Sequence, residues 1–173
     1  MSRLITDEIA PTTGKTLKMP VGSILQMAGD TWTPGSVTDV ATTAPTGGPY
    51  GNNLEVDITF RSTSNKFFVQ VHIPDGYNNG VAGRTMHGGF QYSVNNFTTA
   101  GTALGPQQII TDYIGYTGSS TNDLFIINYH TWGSVPVTGA VKIRPYLIAV
   151  NGAYRTNANS LGVYSLSVME IQG

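Results

Sequence analysis

The chain has 173 residues, a mass of 18.4 kDa and a formal net charge of −1. Only 11% of its residues are charged, against about 25% in an ordinary soluble domain. It lacks the basic stripe that displaces counterions from phosphate, which speaks against a nucleic-acid binder, and its 40% hydrophobic content speaks against a disordered tail. There is no cysteine, which removes disulfide frameworks, thiolate zinc sites and cysteine nucleophiles and fits synthesis in a reducing cytosol. No stretch approaches the roughly 20 apolar residues of a membrane span. Asp7 and Glu8 stand where a signal peptide would carry its apolar run, so neither membrane insertion nor secretion is expected.

In chain order, residues 1–22 read as an extended N-terminal arm, framed by Pro11-Thr12-Thr13-Gly14-Lys15 and Met19-Pro20-Val21-Gly22. Such a segment cannot bury itself alone and is expected to dock on another subunit or protein. Residues 29–53, rich in Thr, Pro and Gly, are too long for a structureless loop and are expected to pair in part. Leu54, Val56, Ile58 and Phe60 alternate with Glu55, Asp57, Thr59 and Arg61, the period of a strand with one buried face. After the polar bend Ser62–Lys66, a second strand puts Phe67, Val69, Val71 and Ile73 on one side and Phe68, Gln70 and His72 on the other.

Phe90–Val94 and Ile109–Tyr116 read as further strands. Leu124–Trp132 is largely apolar and is expected to be covered on both faces, with Tyr129 and Trp132 in the core. In Val141–Val150, Pro145 predicts a bulge, a sheet edge or a break. Val163–Ile171 closes the chain. Helix formers never cluster, and short strands between Gly/Asn/Pro turns predict an all-β, jelly-roll-like β-sandwich over residues 23–173.

The search for chemistry is mostly negative. No nucleophile elbow, phosphate-cradling glycine loop or dinucleotide fingerprint is present. Glu55 and Asp57 share a strand face about 6 to 7 Å apart, but a solvated strand looks the same. His72, His87 and His130 show no ligand spacing, so neither metal nor cofactor is expected. The glycine-rich segment Pro74–Gly89 reads as a long loop carrying Tyr77, Asn78, Asn79, Arg84 and His87. An aromatic ring beside amides, held by a rigid sandwich, suits sugar binding, and these five are the candidate ligand-binding residues.

Three anchors stand in order along the chain: Ile5–Leu17 followed by Met19-Pro20-Val21-Gly22-Ser23-Ile24-Leu25-Gln26, then Leu54–Val69 with Ser62-Thr63-Ser64-Asn65-Lys66 at its centre, and last Ser165-Leu166-Ser167-Val168-Met169-Glu170-Ile171. They are similar to the lead-in, the central hairpin and the closing strand of a module of bacteriophage tail fibres and capsid fibres, found in phages of aquatic bacteria. The chain departs from the pattern at Phe60-Arg61, where the family more often has a proline, and Pro74–Gly89 has no counterpart.

The resemblance implies a non-enzymatic virion structural protein, made in the bacterial cytoplasm and assembled as a homotrimer. Its partners would be its own copies, other virion proteins through the arm, and a host surface glycan. Capsid decoration is an alternative role, followed by a soluble lectin and then a polysaccharide depolymerase. Deleting residues 2–22 is expected to abolish attachment to the particle while leaving a folded head, checked by co-sedimentation and thermal melting. An unfolded product would make the arm part of the core.

Overall fold

The computed structural model describes residues 20–34, 38–39, 54–78, 84–106, 108–112, 123–149, 154–156 and 162–173. They form two antiparallel sheets packed as a β-sandwich, with no helix among the described residues. The arm lies outside them apart from Pro20–Gly22, where Gly22 N–H donates to Gln172 C=O at 2.9 Å.

The first sheet contains β1 (Ile24–Trp32), β2 (Thr38–Asp39), β4 (Lys66–Asn78), β8 (Asp123–Ser134), β10 (Tyr154–Thr156) and β11 (Tyr164–Ile171). β4 is its spine: β8 runs along one side, and β11 and then β10 along the other, with β1 beyond β11. The second sheet contains β3 (Val56–Phe60), β5 (Arg84–Ser93), β6 (Thr102–Ala103), β7 (Gln108–Asp112) and β9 (Gly139–Ala149), with β9 between β3 and β5. Strand alternation fills the space between the sheets. Phe67, Val69, Val71, Ile127, Tyr129, Leu166 and Val168 from the first meet Val56, Ile58, Phe60, Phe90, Ile143 and Leu147 from the second. Tyr129 spans the gap, its hydroxyl donating to Tyr146 C=O at 2.9 Å.

The stretch expected as a hairpin is a corner instead. β3 pairs with β9 in one sheet and β4 with β11 and β8 in the other, so residues 61–65 carry the chain between sheets. A buried carboxylate holds this corner. Glu170, on β11 and fully buried, accepts from Asn65 Nδ2 at 2.7 Å, Arg61 N–H at 2.9 Å and Gln26 Nε2 at 2.6 Å. Asn65 C=O accepts from Val135 N–H at 3.0 Å, which fixes the exit of β8 to the same point. Side chains of the first sheet also cover the outer edge of β3: Gln26 Nε2 donates to Thr59 C=O at 2.6 Å, and Asp30 accepts from Glu55 N–H at 3.1 Å. An open strand edge would template pairing with another chain, and these contacts occupy it.

Two other expectations resolve physically. Pro145 lies beyond the last β3 partner of β9, Val56 opposite Ile143, where β9 is locally an edge. Pro74–Gly89 is mostly strand, because β4 continues through a bulge to Asn78 and β5 starts at Arg84. Pairing with β8 and β10 extends β4 past its glycine despite that residue's low strand propensity. Gly89 is required by packing: a Cβ there would collide with the buried Tyr146 ring.

Burial alone would raise the Glu170 pKa, but the donated hydrogen bonds from Asn65, Arg61, Gln26 and Ser62 outweigh it and hold the carboxyl below its ordinary value. A depressed folded-state pKa adds stability that is complete above the unfolded value and is lost as pH falls through the folded one. Glu170→Gln keeps one oxygen but turns a donor toward donors, and is expected to cost about 1–3 kcal/mol at pH 7. Chemical denaturation should show that the gap from the native protein narrows below about pH 4.

Candidate functional site

The two outer faces of the sandwich differ. On the second sheet, Arg144 is 3% exposed, its guanidinium 3.7 Å from the centre of the Phe97 ring. Phe97 and Asn96 both adopt left-handed backbone, with φ of 55° and 56°. Ser93 Oγ steadies that turn by accepting from Asn95 N–H at 3.1 Å and Phe97 N–H at 2.9 Å. The turn therefore covers part of this face.

Beside it runs a cleft of about 470 Å³, lined by Gln26, Asp57, Thr59, Val94, Asn96 and Lys142 among others, with no aromatic ring. Lys142 Nζ lies 3.1 Å from Asp57 and 3.5 Å from Glu55. Burial opposes the charge of Lys142, but the two carboxylates outweigh it and raise its pKa. Glu55 and Asp57 thus share one ammonium in a structural ion cluster.

Among the described residues, the outer face of the first sheet is largely exposed. Strand register sets three rows across β1, β11, β4 and β8. The first is Met27, Met169, Phe68 and Trp132. The next is Gly29, Ser167, Gln70 and His130, and the third is Thr31, Ser165, His72 and Asn128. Trp132 is 69% exposed and Met27 67%. His130 stacks on Phe68, centroids 5.6 Å apart and rings inclined by 28°. The His72 imidazole and the Asn128 amide are hydrogen-bonded, Nδ1 to Oδ1, at 2.7 Å. A shallow depression of about 230 Å³ opens among Gln70, His72, Asn128, His130 and Ser165. No Asp, Glu, Lys or Arg stands in the three rows. A flat aromatic surface beside neutral donors and acceptors can stack and hydrogen-bond a ligand, and these rows hold no carboxylate pair.

Trp132 was expected in the core and lies outside it, whereas Tyr129 is buried as expected. Leu124–Trp132 is not covered on both faces: Ile127, Tyr129 and Thr131 point inward, while Ile126, Asn128, His130 and Trp132 point out. The signal was the alternation of Asn128, His130 and Trp132 with the buried residues, in phase with Phe68, Gln70 and His72 on the neighbouring strand.

Of the loop candidates, Tyr77 and Asn78 end β4, opposite Leu124 and Asp123, and Arg84 opens β5 opposite Asp112. The side chains of these three, and all of Asn79, lie outside the described residues. His87 is half-buried on β5 in the second sheet, opposite Ile148 and Ile109, so it does not share a sheet with Tyr77 and Asn78. Among the described residues, no group of three or more His, Cys, Asp or Glu is placed to hold a metal ion.

No protein-family model and no curated protein matches the chain. Among solved structures it is similar to the CBM22-1 xylan-binding domain of Paenibacillus barcinonensis Xyn10C, with TM-score 0.33 and 12% identity over 90% of this chain and 99% of that one. It is also similar to a chain of infectious bursal disease virus, Gx strain, with TM-score 0.31 and 11% identity over 97% of this chain and 42% of that one. Likeness at this level carries no argument about function.

Trp132 is mostly exposed, so Trp132→Ala should change stability by no more than about 0.5 kcal/mol. In a Trp32→Phe variant, the remaining Trp132 emission should be readily quenched by iodide. Protection from iodide would place the ring in a covered site.

Proposed function

We propose that this chain is a non-catalytic virion structural protein, a surface fibre head whose bare sheet attaches the particle to a host envelope. The observation that carries the reading is the uncharged outer face of the first sheet, with Trp132 and Met27 exposed on a rigid four-strand scaffold. A monomeric protein rarely leaves such a face open without a partner for it. The three sequence anchors, in order along the chain, support the virion setting, and the lack of an acid pair on this face supports binding over catalysis. The arm joins the head to the particle, and assembly as a trimer would multiply weak contacts into firm attachment.

Light scattering is expected to give a mass near three times 18.4 kDa. Labelled protein should bind cells within a panel of aquatic bacteria. Trp132→Ala should weaken that binding by about tenfold or more, the loss of one buried aromatic anchor. Asp57→Asn, on the other sheet, should leave it unchanged. Failure to bind any cell, or equal binding by Trp132→Ala, would overturn the reading.

A further inference from the structure

We propose that the outer face of the first sheet takes a neutral oligosaccharide, with one sugar ring stacked on Trp132 and Phe68 and another seated in the depression among Gln70, His72 and Asn128. The proposal rests on the attachment reading above and names its ligand. Trp132 and Phe68 are direct register partners about 5 Å apart at the backbone, and with His130 stacked on Phe68 these side chains share one patch of the face. The C–H face of a pyranose is apolar and weakly positive, and fits the electron-rich face of such rings.

The polar rows supply the complement. The Asn128 carbonyl oxygen can only accept, so His72 Nδ1–H donates to it. That contact orients His72 Nε2 as an acceptor and Asn128 Nδ2 as a donor on neighbouring strands. A sugar hydroxyl both donates and accepts, and vicinal hydroxyls present that pairing. The aromatic row and the His72 row lie four residues apart along β4, about 13 Å, which leaves room for more than one sugar ring.

Charge selects within the class. With no ionised side chain in the three rows, an acidic saccharide would lose its hydration and gain no counter-charge. The nearest cation in this register is Lys66, whose Nζ bonds Ser134 Oγ at 2.9 Å. A protein partner fits less well, because two of the three rows hold only Gly, Ser, Thr, Gln, Asn and His, with no aliphatic anchor.

The test uses the envelope polysaccharide of a bacterium that the protein binds, separated by anion exchange into neutral and acidic pools. The neutral pool should shift Trp132 emission in the Trp32→Phe variant and displace labelled protein from cells. A His72→Ala, Asn128→Ala double variant should need at least about fivefold more of it with an unchanged melting temperature. Displacement by the acidic pool alone, or by neither pool while cells are still bound, would overturn the ligand and leave attachment standing. Absence of cell binding would overturn attachment itself. An oligomer that Trp132→Glu splits into monomers would show the face to be an interface between copies and overturn both.

Discussion

A single buried carboxylate closes the sandwich. Glu170 lies on the last strand, yet its oxygens collect the corner between β3 and β4 through Arg61 and Asn65, and the first strand through Gln26. A buried charge without partners would be expelled or neutralised, so this position is tenable only because several donors converge on it. Those donors come from segments that meet only when both sheets are in register. The contact therefore selects the sandwich over looser packings of the same strands. With β1 held in place, Asp30 and Gln26 can cover the edge of β3.

The same closure makes the two faces unequal. The second sheet is overlain by the turn at Asn96 and Phe97, with Arg144 sealed beneath it and Lys142 tied to two carboxylates. Lys142 and Arg144 there are ion-paired with Glu55 and Asp57. On the first sheet, the neutral side chains of β4 and β8 face water in regular rows, on strands fixed by long antiparallel pairing. Rigidity and exposure together suit recognition, since little conformational freedom remains to be lost on binding.

Much of this was legible in the residues. The alternation from Val56 to Phe60 and from Phe67 to Ile73 names both buried faces, and the all-β sandwich follows from strand spacing alone. The Ser62–Lys66 bend was legible as a turn, but periodicity is local and cannot say whether two strands pair with each other or with distant partners. The corner needed Glu170, more than 100 residues away in the chain. β1 was missed because Ala28 and Gly29 weaken its strand signal, and pairing with β11 overrides that propensity. Apolar content puts Trp132 in the core, but its phase with the exposed Asn128 and His130 puts it outside. The sequence around Tyr77, Asn78, Asn79, Arg84 and His87 reads as a loop because its glycines mask the strand period, and β4 and β5 occupy most of that segment.

Hydroxyl-radical footprinting addresses the bare face most directly, because Met27, Met169, Phe68 and Trp132 are reactive side chains in one row. In the protein alone, Met27 and Trp132 should oxidise readily, at rates independent of protein concentration. Isolated cell envelopes should then protect the whole row while leaving Tyr92 on the other sheet unchanged. Protection of the row in the protein alone, or no change on envelopes that bind it, would contradict the account.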